Sequence, residues 1–246
     1  MAVRVRVEIS VESIEGVRIA ARHGADRVEL CGALSDGGLT PSAALMELAS
    51  ARADKTEVHA LIRPRPGDFR YTPDEVSVMI RDIRAADRAG VTGMVIGALG
   101  EDGLLDPICE RFVDAAEHKP VTLHRAIDVS ADPRRVLDQA MELGFKRVLT
   151  SGQQRSALDG APLIKSLVAQ AGDDIEVMAC GGVRASNVLE VVAATGVSDV
   201  HAGVRAPVRG VAGGAVSYAG IGVPEGFDHF ETDADGVAAL MSVIRG

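Results

Sequence analysis

The segment VRVRVEISVESIEGVRIAARHGADRVELC, residues 3–31, contains the pattern that decides the fold. It opens with a short run in which valine alternates with charged residues, and it closes with a second β-branched run. Between these runs the apolar residues recur with helical spacing. An alternation of period two predicts a half-buried strand, and apolar spacing of three or four predicts an amphipathic helix. The segment therefore predicts a strand, a helix and a second strand.

The same strand–helix unit recurs along the chain, eight times in all. We predict strands over residues 3–9, 26–30, 57–62, 93–97, 120–124, 146–149, 176–179 and 198–201. We predict helices over residues 12–22, 41–52, 73–89, 107–117, 132–143, 160–171, 184–194 and 232–244. Crossovers of this length join parallel strands, and eight units fit a closed barrel. The sequence thus predicts the α/β class, with residues 1–246 forming a single (β/α)8 TIM barrel domain. A doubly wound open sheet is the alternative.

Two kinds of residue mark the boundaries of these units. Proline is favoured at the first position of a helix, so Pro41, Pro73 and Pro107 are predicted to begin helices. Glycine dominates one stretch, at about residues 203–231, where seven glycines lie between Gly203 and Gly226. A long loop inside a compact domain is usually a lid, a binding loop or a disordered piece. The sequence does not decide whether this stretch is a lid or binding loop, or a plain flexible connection.

Composition excludes several classes of protein. Hydrophobic residues make up 47% and charged residues 25% of the 246, which is typical of a globular protein. The net charge of −9 disfavours nucleic acid as a partner, because nucleic acid rewards a basic face. Aromatic residues are only 3%, with no Trp, so platforms for stacking bases are scarce. We expect neither a nucleic-acid partner nor an organic cofactor.

The cysteines and the chain start bear on location. Cys31, Cys109 and Cys180 form no CxxC pair and no even-numbered disulfide framework, which fits a reducing cytoplasm. The start of the chain alternates charge with valine, unlike a signal peptide, and the sequence has no run of 18 apolar residues. We therefore predict a cytoplasmic protein with no membrane partner.

Alternation along the predicted strands turns one set of polar residues toward the barrel axis. If the apolar faces meet the helices, the inward set is Glu8, Arg27, Glu29, Cys31, His59, His124 and His201. The barrel interior is then expected to be polar, with these residues at or near the carboxyl ends of the strands, where barrel enzymes place their sites. A stabilising Glu–Arg network is the alternative for any single charge. As a set, Glu8, Glu29, His59 and His124 are candidate acid, base or orienting groups.

Two motifs after strands suggest more specific chemistry. Arg63 and Arg65, held by neighbouring prolines, predict a stiff cationic fork for a carboxylate or phosphate. The alternative is a salt-bridged loop in which Asp68 is the internal partner. His124 is followed four residues later by Asp128, a pair that would suit an acid–base centre, although such proximity is common by chance.

Small, amide-rich turns follow the sixth and seventh strands. Ser151 and Gly152 form one, and Gly181 and Gly182 form the other. Backbone N–H groups at helix starts favour anions, and late loops of this fold often hold phosphate. The four residues are therefore candidate anion-binding residues, with simple tight turns as the alternative.

A metal site would have to be assembled by the fold. The conceivable ligands are Cys31, Cys180, His59, His124 and His201. Cu(I) prefers two or three thiolate or thioether ligands. Histidines on strands are more often hydrogen-bonded core residues than ligands, so Cys31 and His201 are the metal candidates we retain.

Several of these residues belong to a pattern that resembles a known family. The matching segments, in chain order, are ADRVELC (residues 25–31), GGLTPS (37–42), IRPR with GDF and Tyr71 (62–71), HRA (124–126) and VLTSG (148–152). Together they resemble the CutC copper-homeostasis family. The resemblance implies a (β/α)8 barrel, a cytoplasmic location, a homo-oligomer and an association with copper. Cys31 matches the motif cysteine, whereas Ser10 and Val11 stand where relatives often have a cysteine pair.

Two main functions follow. The first is cytosolic copper homeostasis, with Cu(I) bound through Cys31 at the carboxyl-terminal mouth of the barrel. The second is an isomerase, lyase or hydrolase acting on a small anionic metabolite, with a phosphorylated or a carboxylated one as the two alternatives. The sequence therefore leaves open whether the protein is an enzyme. A non-catalytic oligomeric scaffold is a third possibility.

Overall fold

The protein forms a closed barrel of eight parallel strands in sequential order, as a computed structural model that describes residues 4–209 and 222–246 shows. The strands are β1 (Arg6–Val11), β2 (Arg27–Leu30), β3 (Glu57–Leu61), β4 (Gly93–Ile96), β5 (Val121–Leu123), β6 (Arg147–Thr150), β7 (Glu176–Ala179) and β8 (Asp199–Ala202). β1 pairs with both β2 and β8, which closes the sheet. The prediction of a (β/α)8 barrel is confirmed, and the open-sheet alternative is wrong.

A helix follows each strand of the barrel. The helices are α1 (Ile14–Arg22), α2 (Ala43–Arg52), α3 (Pro73–Arg88), α4 (Ile108–Ala115), α5 (Pro133–Glu142), α6 (Ala161–Ala171), α7 (Val188–Thr195) and α8 (Ala234–Arg245). Pro73 begins α3 as predicted, after the capping box of Thr72 and Glu75. The expectation for Pro41 and Pro107 is wrong, because α2 begins after the Ser42 cap and α4 begins at Ile108.

Outward-facing strand residues and the inner faces of the helices form one hydrophobic core. In β1, Val7, Ile9 and Val11 are fully buried in it, and Val28 and Leu30 of β2 join them. These positions alternate with the inward-facing charges, as the period of a strand requires.

The barrel interior contains buried polar and charged side chains, as the sequence predicts, but it also contains apolar ones. Cys31, Leu61 and Val95 form one small apolar cluster there, and Leu149, Met178 and Cys180 form another. These apolar side chains occupy inward positions near the carboxyl ends of several strands. Charge is concentrated instead around Glu8 and Arg27, deeper in the barrel.

The glycine-rich stretch contains a hairpin that the sequence does not predict. β9 (Arg205–Val208) pairs in antiparallel register with β10 (His229–Thr232). Pro207 lies within β9, which is compatible with a short two-stranded sheet because each strand has a free edge. The sequence analysis left open whether residues 203–231 form a lid, a binding loop or a plain connection. Residues 210–221 of this stretch lie outside the described residues.

No helix in the described ranges is both long enough and apolar enough to cross a membrane.

Candidate functional site

A cavity of about 170 Å³ opens at the carboxyl ends of the barrel strands. Its walls combine buried charge with apolar and aromatic side chains. The lining residues are Ser10, Glu29, Leu34, Gly37, Leu61, Arg63, Phe69, His124, Arg125, Leu149 and His201. It is smaller than sites for drug-sized ligands, which occupy about 300–1,000 Å³. The cavity therefore suits a small molecule.

Glu29 and His201 face each other across this cavity. Nε2 of His201 lies 3.9 Å from Oε2 of Glu29, which is too long for a direct hydrogen bond. On its other side, Nδ1 of His201 lies 2.7 Å from Oε1 of the fully buried Glu8. A carboxylate only accepts hydrogen bonds, so Nδ1 carries the proton that joins the two groups. Glu8 thus fixes the imidazole ring and turns Nε2 toward Glu29.

The charges of these three residues are coupled. Burial raises the pKa of Glu29, and the charge of Glu8 adds to this effect against the opposing influence of His201. For Glu8, burial acts in the same direction, but Arg27 and the hydrogen bond from His201 outweigh it and hold its pKa well below the usual 4.5. For His201, burial opposes protonation, but Glu8 and Glu29 together raise its pKa above 6.5. The pKa values of Glu29 and His201 are therefore both raised, that of Glu29 by burial and the charge of Glu8, and that of His201 by the two carboxylates in spite of its burial.

A buried ion network forms the floor beneath the cavity. Arg27 donates from Nε to Glu8 at 2.5 Å and from Nη2 to Asp199 at 2.8 Å. Arg147 lies on the same level, donating to Thr122 and Glu176. Glu8 and Arg27 are fully buried, and neither is among the residues that line the cavity in the described ranges. The expected Glu–Arg network exists, and Glu8 serves the site from below.

His59 also lies below the mouth. It packs against Gly93, where even a Cβ atom would come within 2.4 Å of its Nε2. Burial, with the charge of Arg27, lowers the pKa of His59 to about 3. The expectation that it reaches the carboxyl-terminal mouth is wrong, because it stands in the middle of β3 opposite Gly93 of β4.

His124 lies at the cavity wall but is enclosed. Its Nδ1 accepts a hydrogen bond from the Ala126 N–H at 3.2 Å, and its ring stacks at a tilt on Phe69, with centroids 4.5 Å apart. Burial, with the nearby charge of Arg63, lowers its pKa to about 3, so the ring is neutral and the proton is on Nε2. Nε2 has no hydrogen-bond partner among the described residues. The expected pairing with Asp128 does not form.

Arg63 and Arg65 do not form the expected fork. Arg63 lines the cavity, and its guanidinium donates to the carbonyl oxygens of Gly38 and Gly67 while lying over the Phe69 ring. Arg65 points away, where it pairs with Glu75 at 2.6 Å and with Asp68 at 3.0 Å. The salt-bridged loop, given above as the alternative, is what Arg65 forms.

The turn after β6 uses its amides internally. The Ser151 N–H donates to the carboxylate of Asp128 at 3.0 Å, and the Gly152 N–H donates to Thr150 Oγ1 at 2.9 Å. Asp128 thus takes the place that we predicted for an external anion, and it also pairs with Arg125.

The turn after β7 is built by glycine conformation. Gly181 and Gly182 both have positive φ, 95° and 72°, which favours glycine. The carbonyl oxygen of Gly181 accepts from the Ala157 N–H, and that of Gly182 accepts from Asn187. These contacts explain the turn, and its anion-binding role stays a prediction.

The donor set does not fit Cu(I). Burial, with the charge of Glu29, raises the pKa of Cys31 well above 9, so the group at this position is a neutral thiol packed on Leu61 and Val95. Cys180 is also buried, and burial raises its pKa in the same way. In the described ranges no three His, Cys, Asp or Glu side chains are grouped so as to hold a metal ion. Cu(I) prefers two or three thiolate or thioether ligands, and Cys31 and Cys180 lie in separate apolar clusters.

Several residues of the site and its floor were not selected from the sequence, and three of them are polar or aromatic groups that shape it. Arg125 and Phe69 line the cavity, and Arg147 belongs to the floor. Arg125 directly follows His124 at the end of β5, a position that the fold turns toward the mouth. Arg147 would have been found by extending the alternation rule to β6, where Arg147 and Leu149 share the inward face.

Comparison with known proteins identifies the family. The CutC family model matches residues 5–206. A CutC protein of Xanthomonas campestris pv. campestris strain 8004 is 42% identical over 240 residues, covering 97% of this chain and 98% of that protein. The human copper homeostasis protein cutC homolog is 43% identical over 200 residues, covering 81% of this chain and 73% of the human protein.

Solved structures agree with this result. The crystal structure of CutC from Streptococcus agalactiae matches with a TM-score of 0.77 at 31% identity, covering 80% of this chain and 97% of that one. A phosphoribosylanthranilate isomerase from Thermotoga maritima matches with a TM-score of 0.57 at 15% identity, covering 98% of this chain and 99% of that one, and this likeness shows the fold alone. The resemblance found in the sequence is confirmed, and the chain belongs to the CutC family.

Proposed function

We propose that the mouth cavity binds a small anionic metabolite and catalyses proton transfer on it. One observation carries this proposal: Glu29, His201, Arg63 and Arg125 all line the same small cavity at the carboxyl ends of the strands. Clefts of this kind, with few convergent polar groups of perturbed pKa, are typical of active sites.

The roles follow from the surroundings of each side chain. Arg125 is 47% exposed and supplies a cation that a ligand can reach, and Arg63 adds a second positive charge from the wall. Glu29 and His201 are the groups for acid and base, since both border the cavity and neither has its reactive atom bonded to the other. Leu34, Leu61 and Phe69 limit the space left for water. Excluding water strengthens electrostatic interactions within the site.

The proposal is tested by a thermal-shift screen with inorganic phosphate, sugar phosphates and small carboxylates. A ligand at 100 times its Kd stabilises the protein by about 2.7 kcal/mol, which raises Tm by about 5–10 °C at this chain length. Arg125→Ala is expected to abolish the shift, measured against its own unliganded Tm. Arg65→Ala is the matched control and is expected to keep it, because Arg65 points away from the cavity. If no anion raises the Tm of the wild-type protein, the proposal is refuted.

Cu(I) handling through Cys31, with His201 as a further ligand, is the second candidate. The name of the human relative favours it, and the buried neutral thiol argues against it. Titration of the reduced protein with Cu(I) against a competing chelator separates the two. Our proposal expects the same Cu(I) affinity for the wild type and Cys31→Ser, whereas copper binding at this thiol requires a marked loss.

The organisation of the protein in the cell is also a proposal. We infer a cytoplasmic location, a single domain over residues 1–246 and a homo-oligomer, supported by the family resemblance and by the absence of paired cysteine motifs in the sequence. Sedimentation of the purified protein measures the oligomeric state directly, and a monomer at micromolar concentration would contradict the homo-oligomer.

A further inference from the structure

The spacing of Glu29 and His201 indicates the kind of reaction that the cavity supports. Their facing atoms are 3.9 Å apart, so neither is occupied by a hydrogen bond to the other. They are nevertheless close enough to contact two neighbouring atoms of one small molecule. A carboxylate next to a positioned N–H donor is the arrangement that proton removal beside a carbonyl requires, because one group takes the proton from carbon while the other donates to the carbonyl oxygen.

The fixed orientation of His201 supports this assignment. Glu8 holds Nδ1 at 2.7 Å, and Arg27 in turn holds Glu8 from below at 2.5 Å. A carboxylate behind the distal nitrogen orients an imidazole and stabilises its protonated form. Nε2–H is therefore directed at the cavity as a donor, and Glu29 is left as the base. Glu8 touches no cavity space and is a positioning residue.

The volume and charge of the cavity restrict the substrate. A cavity of about 170 Å³ favours a small molecule, and Arg63 and Arg125 add positive charge to its wall. A substrate that matches both the Glu29–His201 pair and the two arginines has a carbonyl with an adjacent C–H bond at one end and an anionic group at the other. An adjacent hydroxyl group would match the polar part of the lining, where Ser10 lies.

We propose that the substrate is a small α-hydroxy aldehyde or ketone with a terminal phosphate or carboxylate, and that Glu29 and His201 move a proton between its neighbouring carbons. This inference rests on the proposed function. The carboxylate of Glu29 takes the proton from the carbon of the C–H bond, and that electron pair forms a carbon–carbon double bond. The carbonyl electron pair moves to oxygen, which takes the proton of His201 Nε2. The resulting enediol returns a hydroxyl proton to His201 and receives the proton of Glu29 on the other carbon, so no oxidant or reductant is needed.

Hydrogen exchange in D2O tests the reaction without knowledge of the natural substrate. The probes are dihydroxyacetone phosphate, glyceraldehyde 3-phosphate and hydroxypyruvate, with dihydroxyacetone as the uncharged control. We expect ¹H NMR to show protein-dependent deuterium incorporation beside the carbonyl of an anionic probe and much slower incorporation in dihydroxyacetone. Exchange in the two phosphates alone would identify phosphate as the anion, and exchange in hydroxypyruvate alone would identify carboxylate.

Variants assign the exchange to the site. Removing a positioned acid or base typically costs about 10²–10⁴-fold in rate, and we expect this loss in Glu29→Gln and, as a second variant, in His201→Asn. Glu15→Gln is the matched control and is expected to retain the wild-type rate, because Glu15 is 59% exposed on α1 and pairs with the surface residues Arg18 and Arg22. The far-UV circular dichroism and Tm of each variant show whether it is folded.

The outcomes separate the two proposals. If anions raise Tm in the screen but no probe exchanges, the reaction class is refuted and the anion site stands. If exchange survives in both folded variants at the wild-type rate, the assignment to Glu29 and His201 is overturned. If no anion in the screen raises Tm and no probe exchanges, both proposals fail.

Discussion

Replacing Arg27 by methionine is expected to destabilise the protein severely at neutral pH. The Arg27, Glu8 and Asp199 side chains are 0%, 0% and 2% exposed, and one guanidinium bonds both carboxylates. Removing one partner of a buried ion pair costs about 3–5 kcal/mol, because the other charge stays buried without compensation. For a chain of this length the expected fall in Tm is about 6–20 °C.

The pH dependence of this loss follows from the carboxylates. In the wild type Glu8 has a lowered pKa, so its stabilising contribution is present above its usual pKa of 4.5 and is lost as the pH falls below that value. In Arg27→Met the burial of Glu8 is no longer offset by Arg27, so its pKa rises and protonation at low pH relieves the penalty. The rise of the Glu8 pKa in Arg27→Met narrows the difference between the two proteins as the pH is lowered from 7 to 4.5, and the loss of the wild-type contribution narrows it further below pH 4.5.

Urea unfolding followed by far-UV circular dichroism measures both effects, since the chain has no Trp for fluorescence. Arg18→Met is the matched control, because Arg18 is 48% exposed and pairs with the 59% exposed Glu15 on α1, away from the floor. An exposed pair of this kind contributes at most about 1 kcal/mol. Arg27→Lys separates charge from geometry, since an ammonium cannot span both carboxylates as the guanidinium does. A loss below 1 kcal/mol in Arg27→Met at pH 7, or a loss that is the same at pH 7 and pH 4.5, would refute this account of the floor.

Two other predictions concern packing and the thiols. Gly93→Ala places a Cβ atom within 2.4 Å of His59 Nε2, so we expect the free energy of unfolding in urea to fall by about 1–3 kcal/mol. The double variant Gly93→Ala/His59→Ala should lose less stability than the sum of the two single variants. Additive losses would contradict the steric explanation. Cys31, Cys109 and Cys180 are at most 1% exposed and have raised pKa values, so we expect a thiol reagent at pH 8 to label none of them in the native protein and all of them after unfolding. Rapid labelling of native Cys31 would show that the thiol is accessible and would revive it as a metal ligand.

The barrel could be predicted because its signals are local. A strand of period two, a helix of longer period and a boundary residue such as Pro73 all lie within a few residues of one another, and the unit recurs eight times. The same alternation placed Glu8, Glu29 and His201 on the inward side, and the structure has them there. Side-chain depth did not follow from alternation, because register between strands decides whether a residue reaches the mouth. His59 pairs opposite Gly93 and stays deep for that reason.

What the sequence missed depends on contacts between distant segments. Arg65 lies in a stiff loop beside Arg63, yet Glu75 at the start of α3 draws it away from the cavity. The Ser151 amide resembles an open anion site until Asp128 is found beside it. The β9–β10 hairpin lies in a stretch rich in glycine with a proline in one strand, a composition that local rules assign to a loop. In each case the deciding partner is ten or more residues away.

Glu8 connects the stability of the barrel to the proposed chemistry. The same carboxylate accepts from Arg27 on the floor and from His201 at the mouth, so a change in the floor acts on the orientation of the imidazole. Apolar residues of similar volume often replace buried ion pairs without loss of stability, so stability alone does not explain a charged floor. A charged floor does, however, keep Glu8 ionised, and an ionised Glu8 is what holds Nε2 of His201 toward Glu29. On this reasoning a floor repacked with apolar residues would preserve the fold and lose the fixed imidazole.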